Sequence, residues 1–266
     1  MIKVYTGGKE FVGENSAFLD ENKYMSSLFY IDARVLTEPS EKNYALKAFD
    51  GGKTLLAIKV EPYNLLLYGD KECADELLLY LKDNGFIFDG IMCPTETGEY
   101  VMSISEKLIE RKYVLTIGMD FMEATEYTEA TAKEVIPAVD SDVDEIFDNS
   151  VRFFIDCNLP DKPDKAKLTG KLPNFRVIKE NGKIVSMAMF SEDTDTSARI
   201  SYVFTKAEYR GKGYARKVVN AVKNEIFSMG KVATLNVDRA NPISNHLYSS
   251  LGFKKVFSQG IYLSKR

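Results

Sequence analysis

The chain has 266 residues, 45% of them hydrophobic, with a net charge of −4, so it can bury a substantial core and carries no cationic excess that would mark a nucleic-acid binder. The first residues, MIKVYTGGKE, lack the apolar stretch of a signal peptide, and the longest apolar runs, such as 77–81, are far too short to span a bilayer. Three cysteines lie far apart with no CxxC, and His246 is the single histidine, so a Cys/His zinc site is excluded and no metal is expected. A cytoplasmic, reduced α/β protein is predicted, with neither nucleic acid nor membrane as partner; its oligomeric state is not readable.

In chain order, YALKAFD, Gly51-Gly52 and KTLLAIKV predict a hairpin, and EPYNLLLYG a strand. Asp70 is placed to cap a helix with Ala74, Leu77, Leu78 and Leu81 on one face and Gly85 at its end. FIFDGIMC reads as a strand, residues 94–110 contain a second helix, and KYVLTIGMD closes this half. The Thr- and Glu-rich stretch 123–133 reads as a linker. Ser141 then caps a helix running to Phe154, with Val143, Ile146, Phe147 and Phe154 on one face. The proline- and lysine-rich stretch 159–173 reads as a loop or a broken helix.

FRVIKE, Asn181-Gly182 and KIVSMAMF form a second hairpin, followed by the strand ARISYVFT. Ala215, Val218, Val219, Val222 and Ile226 make one apolar helical stripe that stops at Gly230. VATLNVD is a buried strand, residues 241–253 a short helix ended by Gly252, and VFSQGIYLS a last strand. Both halves read hairpin, strand, helix, strand, helix, strand. Aligning Gly52 with Gly182 gives an offset of 130 residues (182 − 52), which predicts a duplication into two similar domains, 1–125 and 134–266.

The turn YRGKGYA (209–215) stands between a strand and a helix. The first helical N–H groups lack intrahelical partners and carry the positive end of the macrodipole, so such a turn can hold a pyrophosphate. Side chains at Gly211 and Gly213 would block the backbone from approaching the phosphates, and Arg210, Lys212, Arg216 and Lys217 add positive charge. A P-loop is excluded because Gly213 follows Lys212 where Ser or Thr is needed. A dinucleotide fold is disfavoured because Arg216 stands where the third glycine of G-x-G-x-x-G belongs.

Arg210 through Ala215 match R/Q-x-x-G-x-G/A, and residues 241–253, NPISNHLYSSLGF, match N-x-x-S/A-x-x-x-Y-x-x-x-G-F. On these two motifs the chain resembles the GNAT superfamily of N-acetyltransferases, well over 135–266 and as an echo over the first half. LLLYGDKE there runs from strand to helix with no counterpart of TKAEYRGKG. The resemblance implies an α/β (α+β) chain of two GNAT-like domains, each a mixed, mostly antiparallel central sheet flanked by helices. The first would be a degenerate copy and the second catalytic, as in tandem GNAT proteins.

By the same resemblance, Arg210, Gly211, Lys212, Gly213, Tyr214 and Ala215 would hold the coenzyme A pyrophosphate. Val203, Phe204 and Thr205 would pair with the pantetheine, where a backbone N–H can also donate to the thioester carbonyl. Asn241 and Ser244 would face the cofactor, with Tyr248 the general acid for the leaving thiolate. Asn241, Ser244 and Tyr248 share one helix face by spacing, and Ile243, Leu247 and Leu251 share an apolar face suited to the core. His246 points roughly 200° round the helix from Tyr248 and reads as a surface residue. The implied activity is direct transfer of an acetyl group from acetyl-CoA to a small-molecule, peptide or protein amine. ARISYVFT contains no carboxylate, so no general base is named. A non-catalytic acyl-CoA-binding sensor or partner-binding subunit is the alternative. The cysteines read as buried small hydrophobes.

Overall fold

The computed structural model describes residues 1–21, 23–157, 162–192 and 194–265. In chain order the elements are β1 (Ile2–Val4), α1 (Gly8–Asp20), α2 (Lys23–Val35), β2 (Tyr44–Asp50), β3 (Lys53–Lys59), β4 (Leu65–Gly69), α3 (Ala74–Asp83), β5 (Gly90–Pro94), α4 (Thr95–Ile109), β6 (Lys112–Ala124), β7 (Ile136–Pro137), α5 (Val143–Asp156), α6 (Lys165–Gly170), β8 (Phe175–Glu180), β9 (Lys183–Glu192), β10 (Ser197–Thr205), α7 (Tyr214–Ser228), β11 (Val232–Asp238), α8 (Pro242–Ser250) and β12 (Lys254–Lys265). Two compact units result. The first is Met1–Asp120 with Asp238–Ala240 and the chain from Phe257 onward; the second is Phe121–Val237 with Asn241–Val256.

These boundaries differ from the expected 1–125 and 134–266. The terminal strand, assigned by sequence to the second domain, lies mostly in the first unit. Gln259–Leu263 of β12 pair antiparallel with Pro94–Gly90 of β5, a long-range ladder that no local pattern encodes.

In the first unit the sheet order is β1-β2-β3-β4-β5-β12, antiparallel except for the pair β4/β5. The β2–β3 turn forms because Gly51 and Gly52 both take positive φ, 53° and 87°, which suits a two-residue hairpin loop. Helix α3 buries Ala74, Leu77, Leu78 and Leu81 against one side of the sheet, as its spacing predicts. On the other side Phe11, Leu19, Phe29 and Ala33 of α1 and α2 pack with Leu56, Ile58 and Leu66.

In the second unit the order is β11-β10-β9-β8-β7, antiparallel except for β10/β11. Val218, Val219, Val222 and Ile226 of α7 are fully buried with Ala198, Ile200 and Leu235. Helix α5 covers the opposite face, with Ile146 buried beside Phe175 and Met189. It begins at Val143 after one 3-10 turn, and Asp142 rather than Ser141 accepts a backbone N–H, that of Val139, at 3.1 Å.

Of the stretch expected as a loop or broken helix, residues 159–161 lie outside the described residues. Asp164 caps the short α6 by accepting from Ala166 N and Lys167 N, and Leu168 and Leu172 are buried. The expected linker is a strap laid along α7. Asn220 Nδ2 donates to the carbonyls of Glu129 and Ala130, both at 3.1 Å, and the rings of Tyr127 and Phe227 meet edge-on. Polar side chains on the outer face of α7 give this Thr- and Glu-rich segment its partners, which composition alone does not show.

Candidate functional site

Strands β10 and β11 run parallel but pair only over Ser197–Arg199 and Val232–Thr234. Past Arg199 no pairing between them is registered among the described residues, so the second half of β10 has an open edge. A bulge between Ser201 and Phe204 interrupts the ladder to β9, and Tyr202 sits in it at φ 52°. A bulky residue there is an outlier that only its surroundings can hold. The Tyr202 ring packs on those of Phe153, Phe154 and Phe175, with centroids 5.6, 5.8 and 5.9 Å away.

Main-chain direction after the bulge separates the three candidate pantetheine residues. Lys206 N bonds to Val185 O of β9 at 3.0 Å, and the Phe204 carbonyl is turned toward Ser186 Oγ of the same strand at 3.2 Å. Alternation along an antiparallel pair then directs the main chain of Thr205 to the open edge, where its carbonyl accepts from Arg210 Nε at 3.0 Å. The backbone of Phe204 faces β9, so Val203 and Thr205 alone are positioned for pairing on the open side.

The turn follows directly. Residues Ala207–Tyr209 form one 3-10 turn, and Gly211 and Gly213 take φ of 77° and 79° before α7 begins at Tyr214. A Cβ at either glycine meets nothing within 4 Å. Left-handed backbone by itself therefore requires glycine here, since no crowding within the protein does. Gly213 is the N-cap of α7 and no side chain caps the helix, so its first N–H groups face outward unpaired.

The positive charge is smaller than the sequence implies. Arg210 is paired with Asp156, Arg216 Nε with Glu129 Oε1 at 3.0 Å, and Lys217 Nζ with Glu134 Oε1 at 2.6 Å. Among the described residues Lys212 has no carboxylate partner; its ammonium lies 4.8 Å from the centre of the Tyr209 ring. Tyr214 donates to Glu180 Oε1 at 2.7 Å, and Ala215 is half-buried.

Helix α8 carries the second motif. Asn241 caps it, its Oδ1 accepting from Ser244 N at 3.0 Å, and Pro242 occupies the first turn. This local role accounts for part of the Asn-Pro-x-Ser pattern. Tyr248 is 8% exposed and packs edge-on to Phe253 within the core of the unit. Its hydroxyl has no hydrogen-bond partner among the described residues. Burial first, and then the charge of Cys157, hold its proton well above the ordinary phenol range. The apolar face predicted for α8 is only partly used: Leu251 is buried and Leu247 packs on the core, but Ile243 is 81% exposed because the first turn of α8 projects beyond it. His246 is exposed. The end of α8 is held by Lys223, fully buried, whose ammonium donates to Leu251 O at 2.8 Å and to Thr128 Oγ1 at 2.6 Å.

The corresponding place in the first unit differs in each respect. Strands β4 and β5 also part early, pairing only over Leu65–Leu66 and Ile91–Met92. There Leu28 and Phe29 of α2 leave a notch of about 20 Å³, far below the size of a ligand site. Gly69 turns the chain tightly inward, a Cβ there falling 2.1 Å from Thr54 O. Asp70, Glu72, Asp75 and Glu76 crowd the start of α3, where carboxylates repel a phosphate.

Open N–H groups, two left-handed glycines and an unpaired strand edge in the second unit fit a phosphate-bearing, amide-containing chain such as coenzyme A. No group of residues able to hold a metal occurs among the described residues, and no helix among them is long and apolar enough to cross a membrane. Sequence spacing did not reveal Asp156, 54 residues from its partner Arg210, nor Cys157, which is exposed and not a buried hydrophobe as expected. Cys73 and Cys93 are buried as expected.

Residues 143–253 match the family described as "Acetyltransferase (GNAT) family". No curated protein matches the sequence. Among solved structures, an acetyltransferase of the GNAT family from Colwellia psychrerythraea is similar over 100% of both chains, with TM-score 0.63 and 11% identity. A GCN5-related N-acetyltransferase from Kribbella flavida is similar over 92% of this chain and 95% of its own, with TM-score 0.60 and 10% identity. A tandem GNAT protein from the clavulanic acid biosynthesis pathway is similar over 84% and 82%, with TM-score 0.52 and 8% identity. At these identities the likeness is one of fold.

Proposed function

We propose that this chain, in which residues 143–253 form a GNAT-family acetyltransferase domain within a tandem arrangement, transfers an acetyl group directly from acetyl-CoA to the nitrogen of an amine. The observation that carries this reading is the open, uncapped start of α7 behind Gly211 and Gly213, beside a parallel strand pair that parts after three residue pairs. The N–H groups from Gly211 to Ala215 hold the pyrophosphate, and Lys212 supplies a cation that is not paired with a carboxylate among the described residues. Val203 and Thr205 pair with the pantetheine through their main chains, and an N–H at the bulge polarises the thioester carbonyl. Asn241 Nδ2 and Ser244 Oγ remain available toward the cofactor.

As the amine nitrogen bonds to the carbonyl carbon and the carbon–sulfur bond breaks, Tyr248 donates a hydrogen bond to the leaving sulfur. A thiol has a pKa of about 8.5 and a phenol about 10 before burial raises it, so hydrogen-bond donation is favoured over complete transfer of the proton. The attacking amine must be neutral. Because β10 offers no carboxylate, its proton leaves through water or through a group that the acceptor brings. The first unit, with its filled notch and acidic turn, acts as a degenerate copy without a cofactor, and the setting is the reduced cytoplasm.

Isothermal titration with acetyl-CoA tests the first half of this reading and thiol release across an amine panel the second. No binding refutes the cofactor assignment. Binding without thiol release for any amine favours the sensor reading, to which the carboxylate-free β10 also points.

A further inference from the structure

Helices α1 and α2 of the first unit meet closely at Gly8, where a Cβ would fall 1.9 Å from Ala33 O, and Gly8 N donates to Leu36 O at 2.9 Å. Beside this contact lies an open cleft of about 990 Å³, the size of sites that take organic molecules. Its floor is apolar, made by Val12 of α1, Tyr30 and Ala33 of α2, and Leu36 just after α2. Lys9 of α1 and Arg34 of α2 stand at the rim, both exposed, and neither has a carboxylate partner among the described residues. The lining carboxylate, Glu10, is already engaged. Its Oε2 accepts from Thr6 N at 2.8 Å and from Thr6 Oγ1 at 2.6 Å, and its Oε1 lies 3.6 Å from Lys3 Nζ. The cleft therefore presents an apolar floor below two unpaired positive charges. Gly13 is an independent sign. It lines the cleft from the interior of α1, where glycine weakens a helix relative to alanine. Its φ is not positive and a Cβ there meets nothing within 4 Å, so neither conformation nor crowding inside the protein accounts for it. A side chain at this position would stand in the mouth of the cleft.

We propose that this cleft binds an amphipathic organic carboxylate, with its apolar body on Val12, Tyr30, Ala33 and Leu36 and its carboxylate beside Lys9 and Arg34. Burial of the apolar body favours any molecule of suitable shape. The rim then selects by sign: an anion gains from both cations, a neutral molecule gains nothing and a cation is repelled. Because both cations are exposed, affinity falls as salt rises. The site is independent of the acetyl-CoA reading, since every lining residue lies in the first unit and none belongs to the proposed cofactor site.

Fluorescence titration of the full chain with dansyl-undecanoic acid, and with its uncharged methyl ester, is the test. The acid should saturate a single site, and the ester should bind about tenfold more weakly, the combined worth of two exposed ion pairs. Lys9→Gln and Arg34→Gln should each weaken the acid about two- to fivefold and leave the ester unchanged. Gly13→Leu suits a helix and fills the mouth of the cleft, so it should weaken acid and ester alike by about tenfold or more, with Tm held or raised. Circular dichroism verifies that all three variants fold. Excess coenzyme A should displace neither probe. Absence of saturable binding overturns the inference. So does equal affinity for acid and ester, binding that Gly13→Leu leaves within twofold of wild type, or displacement by coenzyme A. By calorimetry Gly13→Leu should bind acetyl-CoA as wild type does, so failure at the cleft leaves the cofactor reading intact.

Discussion

Replacing Gly213 by alanine separates the demand of the backbone from the demand of the ligand. Gly213 has φ 79° with open space around a new Cβ, so no clash contributes and only the left-handed conformation is penalised, by about 1–2 kcal/mol. Gly230, at the far end of the 15-residue α7, has φ 73° and equally open surroundings. At 1.5 Å per residue the two positions are roughly 25 Å apart. Gly230→Ala, held in the left-handed conformation by the bonds of Gly230 N and Lys231 N that close the helix, should lose this as stability, a fall in Tm of about 2–8 °C, whereas Gly213→Ala, in an uncapped turn free to relax, should lose less. Only Gly213→Ala should weaken acetyl-CoA. If the free turn relaxes to negative φ and must be driven back to present its N–H groups, the same 1–2 kcal/mol appears as a Kd raised roughly 5- to 30-fold. Scanning calorimetry and isothermal titration on the pair read both quantities. A Gly213→Ala variant that binds within twofold of wild type, or a Gly230→Ala variant that loses as much affinity, refutes the reasoning.

Charge pairing makes a second comparison. The double variant Lys217→Gln/Glu134→Gln removes a matched pair and should leave acetyl-CoA affinity nearly unchanged, whereas Lys212→Gln should weaken it and flatten its salt dependence in titrations at two ionic strengths. Tyr248→Phe deletes a hydroxyl that has no hydrogen-bond partner among the described residues, so Tm should hold while turnover falls more than acetyl-CoA affinity. Because the folded-state pKa of Tyr248 is raised, its protonated form persists, and no loss of turnover from its ionisation should appear below about pH 10, the range where unfolded tyrosine begins to titrate. Asp32 is 5% exposed, and burial, opposed by Lys59, raises its carboxyl to about 6. The unfolded chain ionises near pH 4, so stability is lost as pH climbs from there through 6. Asp32→Asn should stabilise at pH 8 by up to about 3 kcal/mol and have little effect near pH 4, as read by urea titration at each pH.

What sequence alone determined is local. Hairpins at Gly51-Gly52 and Asn181-Gly182, the apolar stripes of α3 and α7, the glycine turn and the cap at Asn241 are set by backbone preference and by spacings of a few residues. Those forces act within one or two turns of chain, so they survive in a linear reading. The relation of the two halves was legible for the same reason, as a repeated order of such elements. Tertiary structure decided everything that depends on residues far apart in the chain. It moved the last strand into the first unit, because the ladder between β12 and β5 forms over more than a hundred residues of separation. It neutralised three of the four cations at the turn by carboxylates drawn from α5 and the strap. It turned Phe204 toward β9 through a bulge that alternation cannot reveal, and left Ile243 in solvent on a helix face that spacing assigns to the core. It also tied the end of α5 to the bulge and the glycine turn, through aromatic packing on Tyr202 and the pair between Asp156 and Arg210. Burial and electrostatic partnership are properties of where chains meet, and no window of sequence contains them.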